Sequence, residues 1–152
     1  MKIYNTLSGQ KEEFVPYGDP VTMYVCGVTP YDESHLGHAM FAVVFDTVRR
    51  YLVFRGYKVK YVRNITDIED KIIDRSNKLG ITARELAEKY ANKFFEDMAD
   101  LNVEKPDVTP YATEEIPKML EVIQGLIEKG HAYTAKGSVY FHVQSMPDYG
   151  KL

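Results

Sequence analysis

Two histidines three residues apart, His35 and His38, bracket a glycine, Gly37, in the string SHLGHA. Three apart on a helix is one face, and two imidazoles there can donate hydrogen bonds to phosphate oxygens and stabilise charge building on a pentavalent phosphorus. Gly37 leaves room for a flat base or a phosphate to approach the backbone. Upstream stand a lone thiol, Cys26, and Gly27; downstream the stretch NITD brings Asn64, Thr66 and Asp67. No GxGxxG or GxxxxGK[ST] occurs, which argues against dinucleotide and Walker-type phosphate loops. Each feature also has a plainer reading. HxxH suits an ordinary helix start, and a strand-end cysteine is often a small buried hydrophobe. NITDIED can be a strand end followed by an acidic helix start, and Lys58, Lys60 and Arg63 would ordinarily form the solvated face of an edge strand.

The elements that must position these residues are legible. Val21 to Cys26 is β-rich and stops at Gly27, and Thr29, Pro30 and Asp32 mark an irregular segment. From about His35 apolar residues recur at threes and fours (Leu36, Phe41, Val44, Val48, Tyr51, Leu52), with Gly56 as the stop. A second strand runs from Tyr57 to Ile65. Strand, helix, strand over this length is the βαβ unit of a parallel sheet, so both strands present their carboxyl ends on one rim, where open α/β sheets bind ligands. The helix start opens on the same rim and is itself an anion site. The expected fold class is therefore α/β.

Further on, Thr82 and Glu85 form a capping box for a helix through Leu86, Tyr90, Phe94, Met98 and Leu101. Pro106 and Pro110 interrupt. A second helix carries Ile116, Leu120, Ile123 and Ile127 and ends at Gly130; AYTA, a Lys136-Gly137 turn and SVYFHV predict a β-hairpin. Only two parallel strands are visible, and such strands are normally buried among several neighbours. The expectation is the front portion of a larger fold, with sticky uncovered edges that favour self-association.

Length and composition set bounds. The 152 residues, 45% hydrophobic and 27% charged, suit about one soluble domain. A net charge of −3 advertises no general nucleic-acid surface. One cysteine excludes an internal disulfide framework and points to a reducing compartment. With neither a signal-peptide core nor an apolar run near the ~20 residues of a membrane span, a cytoplasmic location without membrane association is expected.

MYVCGVTPYDESHLGHA followed by YVRNITDIEDKI resembles the front of the cysteinyl-tRNA synthetases, class I enzymes whose HIGH signature matches His35-Leu36-Gly37-His38. NTLSGQKEEF, ATEEIPKML, IEKGHAY and PDYGKL extend the likeness along the whole chain. The resemblance implies a Rossmann-like nucleotide-binding fold whose first part is residues 1–70, followed over 71–152 by the start of a helical and β-hairpin connective insertion. It implies activation of cysteine by ATP with Mg2+ to cysteinyl-adenylate and transfer to tRNA(Cys) by a monomeric full-length enzyme. It assigns phosphate stabilisation to His35 and His38, adenine contact to Gly37, and ATP contact also to Thr29. Gly27, Thr29 and Thr66 would hold the amino acid, and Cys26 would ligate a zinc ion that recognises the substrate thiolate. The KMSKS loop, the other zinc ligands and the anticodon-binding region are expected after Leu152, so this stretch alone should be inactive and hold zinc poorly. Pro30 within TPYDESHLGHA also resembles the cysteine ligase of mycothiol synthesis, and a non-catalytic binding or scaffold half-fold is the third reading.

Overall fold

The computed structural model describes residues 1–151; Leu152, the last residue of the expected insertion, lies outside them. In chain order the elements are β1 (Lys2–Asn5), β2 (Gln10–Glu13), β3 (Val21–Val28), α1 (Leu36–Phe54), β4 (Val59–Ile65), α2 (Asp70–Leu79), α3 (Ala83–Asp100), α4 (Ile116–Glu128), β5 (Ala132–Ala135) and β6 (Ser138–Phe141). By packing, residues 17–115 form one unit, and residues 1–16 with those from Ile116 onward form another.

In the first unit β3 and β4 pair in parallel, joined by α1. The register runs Val21↔Val59 to Val25↔Arg63 and then slips to Val28↔Ile65, so β3 carries a bulge at Cys26 and Gly27 opposite Asn64. A third parallel segment lies along the other side of β4. Val62 bridges Val108 and Ile65 bridges Tyr111, with Arg63 N–H donating to Val108 O at 3.1 Å and Ile65 N–H to Pro110 O at 2.9 Å. The sheet itself has the two parallel strands expected, β3 and β4, and this segment adds isolated bridges along the β4 edge. Pro106 and Pro110 read as interruptions because proline cannot donate to a ladder; here Pro110 serves as an acceptor on the edge, where proline is tolerated.

Helix α3 is the spine of this unit. Its capping box forms, with Glu85 N–H donating to Thr82 Oγ1 at 3.1 Å and Thr82 N–H to Glu85 Oε2 at 2.8 Å. One stripe of the helix (Ala91, Phe94, Met98) packs with Val28, Ala42 and Ile65 of the βαβ unit. Its other stripe (Leu86, Ala87, Tyr90) packs on Ile72 of α2. Burying a side chain such as Phe94 contributes roughly 1.5–3 kcal/mol. Helix α1 ends at Phe54, and the chain leaves it through Arg55 and Gly56, whose φ of 89° suits glycine. Of its periodic apolar residues only Leu52 is buried, while Leu36, Phe41, Val44, Val48 and Tyr51 are exposed. The face turned to the sheet carries Ala42 and a buried Asp46 instead. Asp46 accepts from Arg50 Nε at 2.7 Å and Glu104 N–H at 3.2 Å, tying α1 to the chain leading into the third segment.

In the second unit β1 and β2 form an antiparallel hairpin. It is exposed on both faces and closed by a turn in which Asn5 Oδ1 accepts from Leu7 N–H at 3.0 Å. Helix α4 ends at Glu128, and Gly130, with φ 75°, follows it into β5. The hairpin of β5 and β6 forms as expected, and its turn places both Lys136 (φ 51°) and Gly137 (φ 79°) in the left-handed region, as a two-residue type I′ turn requires. Among the described residues no helix is long and apolar enough to cross a membrane.

Candidate functional site

The carboxyl end of the β3–β4 pair is built around Asn64. Its Oδ1 accepts from the Gly27 N–H and from the Tyr24 hydroxyl, both at 2.8 Å, and its Nδ2 donates to Thr66 Oγ1 at 3.1 Å. The bulge brings Gly27 so close that a Cβ there would lie 1.4 Å from the Asn64 carbonyl oxygen. Glycine is required by this approach of two backbones. Thr66 N–H donates to Val28 O at 2.9 Å, closing the end of the sheet. The structure therefore brings Gly27, Asn64 and Thr66 into one hydrogen-bonded group. Cys26, next to Gly27 on the bulge, is exposed.

Half-buried Thr29 follows, its carbonyl accepting from Tyr31 N–H at 3.0 Å, and Pro30 is fully buried. Asp32 takes two bonds from the Arg75 guanidinium, at 2.6 and 2.9 Å, and Lys71 lies over the Tyr31 ring. Both ties anchor the segment before α1 to α2.

His35 is the N-cap of α1. Its Nδ1 accepts from Gly37 N–H at 3.1 Å, while its own N–H donates to His38 Nδ1 at 3.3 Å. The two rings stack with centroids 3.8 Å apart and planes 14° from parallel. With each Nδ1 used as an acceptor, the proton of each neutral ring sits on Nε2. The pair thus offers two Nε2–H donors at the positive end of a 19-residue helix. A Cβ on Gly37 would meet His35 Cε1 at 3.0 Å and Nδ1 at 3.1 Å, so glycine here spares the cap. Burial, then the nearby His35 and Arg63, hold His38 below the ordinary histidine range, which favours its uncharged form.

Arg63 was expected on a solvated face. It is instead buried, at 6% exposure, with its guanidinium 4.9 Å from the Phe94 ring centroid and 5.4 Å from that of Phe41. It is on the same strand face as Tyr61 and Ile65, which pack beneath the helices, and its Nε is without a partner. Burial pulls the guanidinium below the usual arginine range, against the Tyr61 hydroxyl and the Cys26 thiol, which hold it up. Arg63 is thus within electrostatic reach of both Cys26 and His38. Phe94 meets the His38 ring edge-on at 6.5 Å. Sequence reasoning missed the roles of Arg63 and Phe94; the only signal was a basic residue beside a strand-end asparagine.

Beyond Asp67, whose carboxylate accepts from the Thr113 N–H at 3.0 Å and hydroxyl at 2.5 Å, opens a cavity of about 570 Å³. Asp67, Tyr111, Arg84 and Glu88 are among its lining residues, whereas Cys26, Gly27, Thr29, His35, Gly37, His38 and Thr66 are not. Among the described residues no group of three His, Cys, Asp or Glu side chains could hold a metal ion. Zinc takes three protein ligands even in an open site. Cys26 supplies one, so the described residues do not by themselves fit zinc.

Residues 14–152 match the family model described as the class I (C) tRNA synthetase catalytic domain. The chain belongs to that family. A cysteine–tRNA ligase of Dehalococcoides mccartyi is 55% identical over the whole of this chain, which covers 34% of the relative. One of Maridesulfovibrio salexigens is 56% identical, again over the whole chain and 32% of the relative. The chain thus spans about a third of the length of these curated relatives. Among solved structures, a Mycobacterium tuberculosis methionyl-tRNA synthetase in complex with methionyl-adenylate superposes with a TM-score of 0.67 at 20% identity. That match covers 74% of this chain and 23% of the other, and carries the expected class I α/β fold.

Proposed function

We propose that the protein acts as a cysteine–tRNA ligase, joining cysteine to ATP as cysteinyl-adenylate and passing the cysteinyl group to tRNA(Cys). The observation that carries this reading is the stacked pair at the head of α1, two imidazoles that each accept a backbone N–H at Nδ1 and so leave Nε2 as the donor. In the reaction, a carboxylate oxygen of cysteine attacks the α-phosphorus of ATP and the bond to the β-phosphate bridge oxygen breaks, releasing pyrophosphate. No protein nucleophile is needed. His35 and His38 donate from Nε2 to phosphate oxygens that gain charge, and the helix end adds its dipole. Gly37 lets adenine approach the backbone, and Thr29 belongs to the same ATP-contacting set. Gly27, Thr29 and Thr66 line the amino-acid side at the end of the sheet, where ligands of open α/β folds bind. Transfer then moves the cysteinyl carbonyl from the adenylate phosphate to a terminal ribose hydroxyl of tRNA, with AMP leaving.

ATP is the substrate this family assignment supports, with Mg2+ accompanying its phosphates. Zinc enters only as an ion that Cys26 would share with ligands outside the described residues, and no step is drawn through it. A soluble location in the cytoplasm, where tRNA is charged, goes with this reading.

The test supplies the protein, as the cell makes it, with labelled cysteine and ATP, and offers either tRNA or an amino-sugar acceptor. Cysteine recovered on tRNA is the expected result. Cysteine recovered on the sugar would replace this reading with a mycothiol-type ligase, and label on neither would favour a non-catalytic role.

A further inference from the structure

At its bulge β3 sets two residues, Cys26 and Gly27, opposite one, Asn64, an arrangement uncommon between parallel strands. A bulge leaves a backbone group without its ladder partner, and such a group is costly when it is partly buried and unpaired. Here a side chain takes the ladder's place: Asn64 Oδ1 accepts the Gly27 N–H at 2.8 Å. The same oxygen accepts the Tyr24 hydroxyl at 2.8 Å. The backbone N–H fixes this end of the amide as the oxygen, because the amide nitrogen is a donor only. Asn64 thus grips β3 on both sides of Cys26. The side chains record the result. Val21 and Val25 are buried while Tyr24 and Cys26 are exposed, and strict alternation from there would turn Val28 outward. With the extra residue Val28 is instead buried and packs with Ile65, Cys26 stays on the exposed face, and Gly27 lies against the Asn64 backbone.

We propose that Asn64 is a positioning residue for the amino-acid end of the site: by gripping β3 on both flanks of Cys26 it holds the bulge, and with it the Gly27 backbone, in the shape that receives the substrate. Both lone pairs of its oxygen are spent on the strand, so it acts through Gly27 and not by touching substrate. A site whose backbone is fixed before the substrate arrives loses less ordering entropy on binding. This inference rests on the ligase reading and deepens it.

The test pairs cysteine-dependent ATP–pyrophosphate exchange with hydrogen–deuterium exchange of the peptide carrying Gly27, in the protein as the cell makes it. Asn64→Leu keeps the bulk and removes the acceptor. The Gly27 amide should then lose its protection, and KM for cysteine should rise about tenfold or more. KM for ATP should stay within about threefold, because His35 and His38 are held by the α1 cap and not by Asn64. Tyr24→Phe removes one of the two donors and leaves Gly27 bonded, so KM for cysteine should rise by no more than about threefold. Asn64→Asp keeps an acceptor oxygen and should retain most of the Gly27 protection that Asn64→Leu loses; loss of protection in both would overturn the inference. An unchanged KM for cysteine in Asn64→Leu would overturn it too, as would equal rises for cysteine and ATP, the mark of a general loosening. If Asn64→Leu does not fold, Asn64→Ser, whose oxygen lies one bond closer to its own backbone, decides on the same readings. Wild-type protein without cysteine-dependent exchange would instead overturn the ligase reading and this inference with it.

Discussion

Each imidazole at the head of α1 accepts a backbone N–H at Nδ1, which leaves Nε2 as the outward donor of His35 and of His38. Replacing His38 by alanine removes one Nε2 donor and the stack on His35; the activation rate should fall by about 10²–10³ with little change in cysteine affinity. Steady-state exchange at saturating ATP measures both. The same residue gives a pH dependence. Burial depresses the folded-state pKa of His38, so as pH falls through the ordinary histidine value of about 6.5 the unfolded chain takes up the proton first. The folded state therefore loses stability as pH falls below about 6.5, and none of that loss is present well above it. Urea unfolding at pH 7.5 and pH 5.5 should show a smaller acid-side loss in His38→Gln than in wild type; an equal loss would place the sensitivity elsewhere.

At the scale of elements, the bulge in β3 converts a short parallel pair into a site. It sets Gly27 against the Asn64 backbone, with no room for a Cβ. Gly27→Ala should force the register to shift and cost about 3 kcal/mol or more, read as a lowered thermal midpoint; a midpoint within a degree or two of wild type would mean that the strand ends move apart freely. Periodicity, caps and turn chemistry made α1, α3, α4 and the β5–β6 hairpin legible, because Thr82 with Glu85 and Lys136-Gly137 act over a few residues. Long-range pairings were not legible. The β1–β2 hairpin is exposed on both faces, so it lacks the apolar alternation that betrays a half-buried strand. The third parallel segment is hidden by two prolines, and the burial of Arg63 depends on Phe94 arriving from a helix some thirty residues later. The HLGH string and NITD pointed to the rim, but the hydrogen bonds that give Asn64 its place follow from a register slip that alternation alone does not predict.

For the whole molecule, the described residues carry the histidine-capped helix end and the hydroxyl-bearing sheet end in one unit, while the single thiol is exposed. One thiolate without a cluster of further ligands is a weak metal site. The 152-residue chain alone should therefore retain no stoichiometric zinc after dialysis against a chelator, as read by atomic absorption. Retained zinc would reveal ligands that the fold of this stretch brings to Cys26. On the proposed reading, cysteine is the amino acid joined to ATP by His35, His38 and Thr66. ATP–pyrophosphate exchange in the protein as the cell makes it, with cysteine and serine supplied at equal concentration, decides this. Exchange driven by cysteine and scarcely by serine is the predicted result; exchange that ignores cysteine, or that serine supports equally, would contradict it.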